Sequence, residues 1–327
     1  MRVSDISESR FLVIARRYFP WGAALCGALL LASCGGDDEP SPTPTPSPTT
    51  SPSPSPSPTP TATPTPTSVS FDFTTAFAAT FTNTAYAYAY FTPGTGGSEV
   101  WSDGTRREGQ SKIAYTVSPE RAEFQAADSD TVYSFAGADR VATAADRRLY
   151  RKGTESLLLA RPFEHVLRVI YERSDPYVRE TVPGTLRSNR VALFFNSVTT
   201  TSAISENLAY TGTAEVVGGK SGTTPAGVYS SPEATLTVAA SDKKITGSIR
   251  VVENVSGTPT VRAVLPISAT VGSSGAFTGD INDTANGFKG KYVGSLAGPT
   301  RQEVFVLFNA SNTDGRKILG SFIGNRD

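Results

Sequence analysis

From about residue 190 to the C-terminus, apolar and polar positions alternate one by one. Tyr210, Gly212, Ala214 and Val216 share one parity, with Thr211, Thr213 and Glu215 between them. Ala234, Leu236 and Val238 alternate with threonines, and Ile245, Gly247, Ile249 and Val251 with Thr246, Ser248 and Arg250. Phe277, Gly279 and Ile281 follow, then Phe288, Gly290, Tyr292, Gly294 and Leu296, then Val304, Val306 and Phe308, and last Ile318, Gly320, Phe322 and Gly324. A period of two marks strands with one buried face. Adding VALFFNSV (191–198) and VRAVLPISATV (261–271) predicts eight or nine strands, separated by turns such as GGKSGTTPAG, AASDKK, GSSG, DTANG and SNTDG. The inward rows mix large residues with glycine. A small barrel explains this: its interior is too narrow for a large side chain at every position, and glycine lets a coiled strand bend beneath an aromatic ring. An open two-sheet sandwich is the alternative.

Residues 69–189 are also β-like but less regular. LLLARPFEHVLRVIYE (157–172) comes nearest to helical spacing, but Pro162 interrupts it and Val166, Val169 and Ile170 favour strand. WSDGTRREGQ and DRVATAADRR read as polar connections. Tyr86, Tyr88 and Tyr90 share one strand face, either as an exposed recognition patch or, the preferred reading, packed against the barrel. The expected fold is all-β: an eight- to nine-stranded antiparallel β-barrel preceded by a smaller β-rich handle-like subdomain.

The first sixty-odd residues differ in kind. Arg16 and Arg17 precede an apolar run from Trp21 to Ala32, too short for a membrane span of roughly 20 residues. Leu31-Ala32-Ser33-Cys34 fits a bacterial lipobox, which predicts cleavage between Ser33 and Cys34 and lipid on Cys34; Cys26 has too little apolar sequence before it. Gly35 follows the cysteine, where aspartate often signals retention at the inner membrane, so the outer membrane is expected. Twelve of the 23 prolines lie between Pro40 and Pro66. Such a Ser/Thr-Pro segment cannot pack a core and reaches about 80 Å as an extended polyproline spacer. The predicted organisation is a signal peptide at 1–33, a linker at 34–67, the handle-like subdomain at 68–189 and the barrel at 190–327.

The remaining composition mostly excludes. Both cysteines, Cys26 and Cys34, precede the folded part, so no disulfide is expected there. Without the first 33 residues the chain has 26 basic and 28 acidic residues, no field for a nucleic acid. With His165 the only histidine, His/Cys metal sites are excluded, and His165 itself sits in an apolar strand-like run where a structural role is expected. No carboxylate pair is spaced for glycosidase chemistry. DSD (128–130) and GDINDTANG (279–287) have calcium-loop composition, but Asx-rich turns explain both. No catalytic residue, cofactor or metal is expected.

Gly287-Phe288-Lys289-Gly290, then Gly294-Ser295-Leu296-Ala297-Gly298-Pro299, then Glu303, resembles a hairpin motif of the transferrin-binding protein B family, lipoproteins of Gram-negative cell surfaces. Gly320-Ser321-Phe322-Ile323-Gly324 resembles that family's closing strand, 206–219 its first barrel strands, and 234–249 the hairpin after them. The family usually has an aromatic where Ala297 stands and glycines at Phe305 and Val306. The resemblance covers about 190–327. It implies an eight-stranded barrel, outer-membrane anchoring, and binding of an extracellular protein or small solute, as in nutrient or iron acquisition, with an outer-membrane translocator as a further partner. It does not identify the ligand and carries over no ligand-binding residue. The alternative function is a structural envelope spacer without a soluble ligand.

Overall fold

The computed structural model describes residues 69–326, which fall within one compact unit. The signal peptide, Ser33, Cys34 and the linker lie outside the described residues. Apart from a single 3-10 turn at Gly137–Asp139, every regular element described is a β-strand, and every ladder is antiparallel.

The N-terminal half holds β1 (Phe77–Thr82), β2 (Ala85–Pro93), β3 (Val100–Arg107), β4 (Gln110–Val117), β5 (Glu120–Gln125), β6 (Val132–Ala136), β7 (Arg140–Ala144), β8 (Arg147–Lys152), β9 (Glu155–Ala160), β10 (Val166–Arg179) and β11 (Val182–Phe195). They form a four-stranded sheet, β1-β4-β5-β6, and a seven-stranded sheet, β3-β2-β11-β10-β9-β8-β7. One core fills the space between these sheets: Phe77, Tyr115, Phe124 and Phe135 meet Tyr150, Leu157, Val169, Tyr171 and Phe194.

Two expectations are corrected here. The polar stretches at 101–110 and 139–148 are largely strand rather than connection, since they supply β3, β7 and the start of β8. VALFFNSV is no barrel strand: Val191–Phe195 ends β11, paired with β10 and β2. The division drawn at 189/190 falls inside β11, and the change of sheet comes between Phe195 and Leu208. The reason is burial on both faces. Ala192 and Phe194 enter the core between the sheets, while Val191 and Leu193 face the other way into a second buried layer.

The C-terminal half holds β12 (Leu208–Lys220), β13 (Val228–Ser230), β14 (Ala234–Val238), β15 (Lys244–Val255), β16 (Thr258–Thr270), β17 (Ala276–Asp283), β18 (Phe288–Ala297), β19 (Glu303–Ser311) and β20 (Arg316–Arg326). They form one nine-stranded sheet curled around one core. Phe288, Tyr292 and Leu296 are buried in that core and Lys289 and Lys291 are exposed, as the alternation predicts. Phe277, Tyr292 and Phe308 each cover the glycine opposite them across the ladder, whereas Phe322 covers Gly324, its neighbour along the strand. Phe277 lies over its partner Gly294, where an added Cβ would sit 2.3 Å from the ring.

The sheet's ends, β16 and β17, lie side by side, yet among the described strands β16 pairs only with β15 and β17 only with β18. Side chains join them instead. The Asp283 carboxylate accepts the Val264 N–H at 2.7 Å. The Tyr292 hydroxyl accepts the Ser268 N–H at 2.8 Å. Pro266, of the same parity, has no N–H to offer. To reach Ser268, Tyr292 crosses beneath β17 at Gly279, where a Cβ would come within 2.3 Å of its oxygen. These devices satisfy what would otherwise be open strand edges.

Candidate functional site

The second face of the seven-stranded sheet packs on the outer wall of the barrel. Tyr86 from β2, Trp101 from β3, Val166 from β10 and Val191 and Leu193 from β11 meet Phe305 and Leu307 of β19 and Leu319 and Ile323 of β20. Tyr88 and Tyr90 pack into the same layer, so the tyrosine row faces the barrel, as preferred from the sequence. Burial pushes the Tyr86 and Tyr90 hydroxyls up to about 12. Arg168, 5 % exposed, pairs with Glu215 on β12.

The turn between β18 and β19 is the junction's polar anchor. Glu303, 1 % exposed, accepts the N–H groups of Glu164 and His165 through one carboxylate oxygen, both at 2.7 Å. These donors lie just before β10 and have no ladder partner of their own. Burial raises the Glu303 pKa, against the pull of those N–H groups. Gly298 donates its N–H to the Asn196 carbonyl at 2.8 Å, and Pro299 accepts from Thr199 and Thr200. Gly298 stands at φ +82°, and a side chain there would collide with the His165 ring.

His165 is thus a junction residue. Its Nδ1 meets the Asn196 amide nitrogen at 3.2 Å, and Asn196 in turn accepts the Val69 N–H at 2.9 Å. Burial lowers the His165 pKa. The Asx-rich stretches make structural contacts: Asp128 pairs with Arg190 at 3.0 Å across distant segments, Asp280 with Lys291 at 3.0 Å, and Asp283 holds Asn286 in its own turn and Val264 across the β16–β17 seam. Among the described residues no group of three His, Cys, Asp or Glu side chains is placed to hold a metal ion.

Beside the junction runs an apolar groove of about 380 Å³. One wall is the β1–β2 turn, with Phe81, Asn83 and Thr84. The other is the barrel surface at Ala276, Thr278 and Val293, and Phe195 and Phe305 form the floor. Phe195 is the hub: its ring lies 4.3 Å from Phe81 and 4.8 Å from Phe305. No charged side chain lines the groove. The Thr84 hydroxyl at its rim is buried without a hydrogen-bond partner. A concave, aromatic, uncharged cleft of a few hundred Å³ between two packed bodies has the character of a ligand site. The sequence did not mark these residues as a site, because they come from five separate segments and each reads locally as an ordinary strand or turn residue.

No family model matches the chain, and no curated protein matches it. Among solved structures, a variant of Transferrin Binding Protein B from Haemophilus parasuis Hp5 is similar at 11% identity and TM-score 0.40, covering 70% of this chain and 54% of that one. Isotype 1 Transferrin binding protein B from serogroup B Neisseria meningitidis is similar at 12% identity and TM-score 0.37, covering 70% and 52%. A protein of unknown function from Nostoc punctiforme shows 9% identity and TM-score 0.23, covering 74% and 94%. The chain therefore spans about half the length of the two transferrin-binding protein structures.

Proposed function

We propose that this chain is an outer-membrane-anchored lipoprotein that binds an extracellular protein or solute and performs no catalysis. Lipid on Cys34 tethers it, residues 34–67 hold it off the membrane, and the body from residue 68 presents the binding surface. The groove between the β1–β2 turn and β17–β18 carries this reading, because its uncharged aromatic lining suits the apolar part of a ligand. The sequence resemblance to surface lipoproteins that serve nutrient capture points the same way.

Two measurements test it. Cys34→Ala should abolish fatty-acid labelling and leave unprocessed precursor; undiminished labelling would move the lipid to Cys26. Immobilised residues 68–327 should retain a defined component of culture medium or host fluid, and Phe81→Ala should weaken that capture. Thr278→Glu, at an exposed groove residue, should do the same at a nearly unchanged melting curve. Capture of nothing from any source would favour the spacer role; capture insensitive to both substitutions would move the site elsewhere.

A further inference from the structure

The seven-stranded sheet ends in an unusual edge. β7 is its last strand, paired only with β8, and all five of its residues are exposed, Val141 at 54%. Edge strands are commonly blunted by proline, by charged side chains, by a bulge, by shortness or by a cover. β7 has Arg140 followed by Val141, Ala142, Thr143 and Ala144, with no proline and no lysine, and Arg140 is engaged by Glu120. The bulge between Arg140 and Ala142 leaves Val141 without a partner on β8. The bulge protects that end of the edge, but beyond it Ala142, Thr143 and Ala144 keep a regular register with β8, and their outward backbone groups face water.

The charge beside this edge has one sign. From Arg140 to Lys152 there are five cations, Arg140, Arg147, Arg148, Arg151 and Lys152, against Asp146 alone. Arg147 reaches Asp146 at 3.5 Å. Arg148 bonds backbone carbonyls and stacks on Phe73. Arg148 also lies in the field of the Asp72 carboxylate, whereas Arg151 and Lys152 are exposed and make no ion pair among the described residues. The nearby acids, Glu120, Asp139 and Asp146, are each committed, Asp139 to the Ala136 N–H. A second copy of this edge would bring like charges together, so self-pairing is disfavoured.

We propose that β7 is a docking edge for an extended acidic peptide segment of a partner protein, which adds as an eighth strand to the seven-stranded sheet. The backbone ladder supplies the pairing and the cations on β8, one strand inward, supply the selection. This site is separate from the groove and does not rest on it.

The test uses the full chain and three fluorescent octapeptides: one alternating valine and glutamate, one alternating valine and lysine, and the acidic one N-methylated at alternate residues. The acidic peptide should bind, raise the amide-exchange protection of residues 140–144, and weaken with salt. The lysine and N-methylated peptides should bind at least tenfold more weakly. Arg151→Glu with Lys152→Glu, both on exposed side chains, should weaken the acidic peptide tenfold at an unchanged melting temperature. Equal binding of the N-methylated peptide would overturn strand addition and leave charge attraction alone. Protection elsewhere than 140–144 would overturn the location. Protection that grows with protein concentration and no peptide would make the occupant a second copy and likewise overturn the proposal.

Discussion

If the barrel is closed at β16–β17 by side chains, removing one oxygen should open it. Tyr292→Phe keeps the ring that fills the core over Gly279 and deletes only the hydroxyl that accepts the Ser268 N–H at 2.8 Å. The lost bond leaves a backbone donor facing a strand with which it has no ladder. A donor stranded in this way costs about 1–3 kcal/mol, against a net worth of about 1 kcal/mol for an ordinary bond. Burial holds the phenol pKa above its ordinary value, so the hydroxyl stays neutral and the effect should not vary across neutral pH. Urea melts should show a lower midpoint with an unchanged slope. Hydrogen exchange should show the Ser268 amide losing protection while amides on the β18–β19 ladder keep theirs. Asp283→Ala should do the same at the Val264 amide. A Tyr292→Phe protein within about 0.5 kcal/mol of the parent, with Ser268 still protected, would mean that backbone bonds close the seam and the argument is wrong.

The inward row of β18 gives a second test: Phe288→Ala should cost about 3–5 kcal/mol through the cavity it leaves, Lys289→Ala less than about 0.5 kcal/mol, and the reverse order would put the strand inside out. Gly294→Val should be strongly destabilising because its first added carbon already meets the Phe277 ring at 2.3 Å, and a near-neutral melt would refute that packing. Glu303 gives a pH test. A carboxylate whose folded pKa is raised by burial contributes stability below the unfolded pKa and loses it as pH rises through the folded value. Glu303→Gln removes this titration, so the parent should lose stability relative to the variant as pH climbs from the ordinary carboxylate range; a difference running the other way would show that the N–H groups outweigh burial.

How much of this was legible depended on how many faces of a strand are covered. Where one face meets a core and the other meets water, as along β17 and β18, the alternation placed Phe277, Phe288, Tyr292 and Leu296 correctly. Where both faces are covered the alternation vanishes. Val191–Phe195 and Val304–Phe308 are continuous apolar runs because each strand lies between two layers. A run of this kind names a buried strand without saying which sheet it joins, and VALFF was accordingly assigned to the wrong one. Where neither face is covered, as in β7, the strand left no apolar mark and read as a loop. β3 failed for a related reason: Trp101 is its one large apolar side chain, and the rest of WSDGTRR carries the polar signature of a turn. The groove was illegible in another sense, because its walls come together only when Phe195 and Phe305, more than a hundred residues apart, meet in the same layer.

The glycines and carboxylate of the motif show the same limit from the other side. Gly298, Pro299 and Glu303 were legible as a turn between β18 and β19, and the structure bears out that turn. Their contacts go further. Glu303 bonds the amides just before β10, Gly298 bonds Asn196 just beyond β11, and Pro299 bonds Thr199 and Thr200 in the crossing segment. A residue pattern that closes one hairpin therefore also fixes how the barrel sits on the seven-stranded sheet. The groove lies along that same junction, between Phe81 on one side and Val293 on the other. Its width is set by the docking that Glu303 anchors rather than by either sheet alone. On this argument a change at Glu303 should alter the groove without touching any residue that lines it.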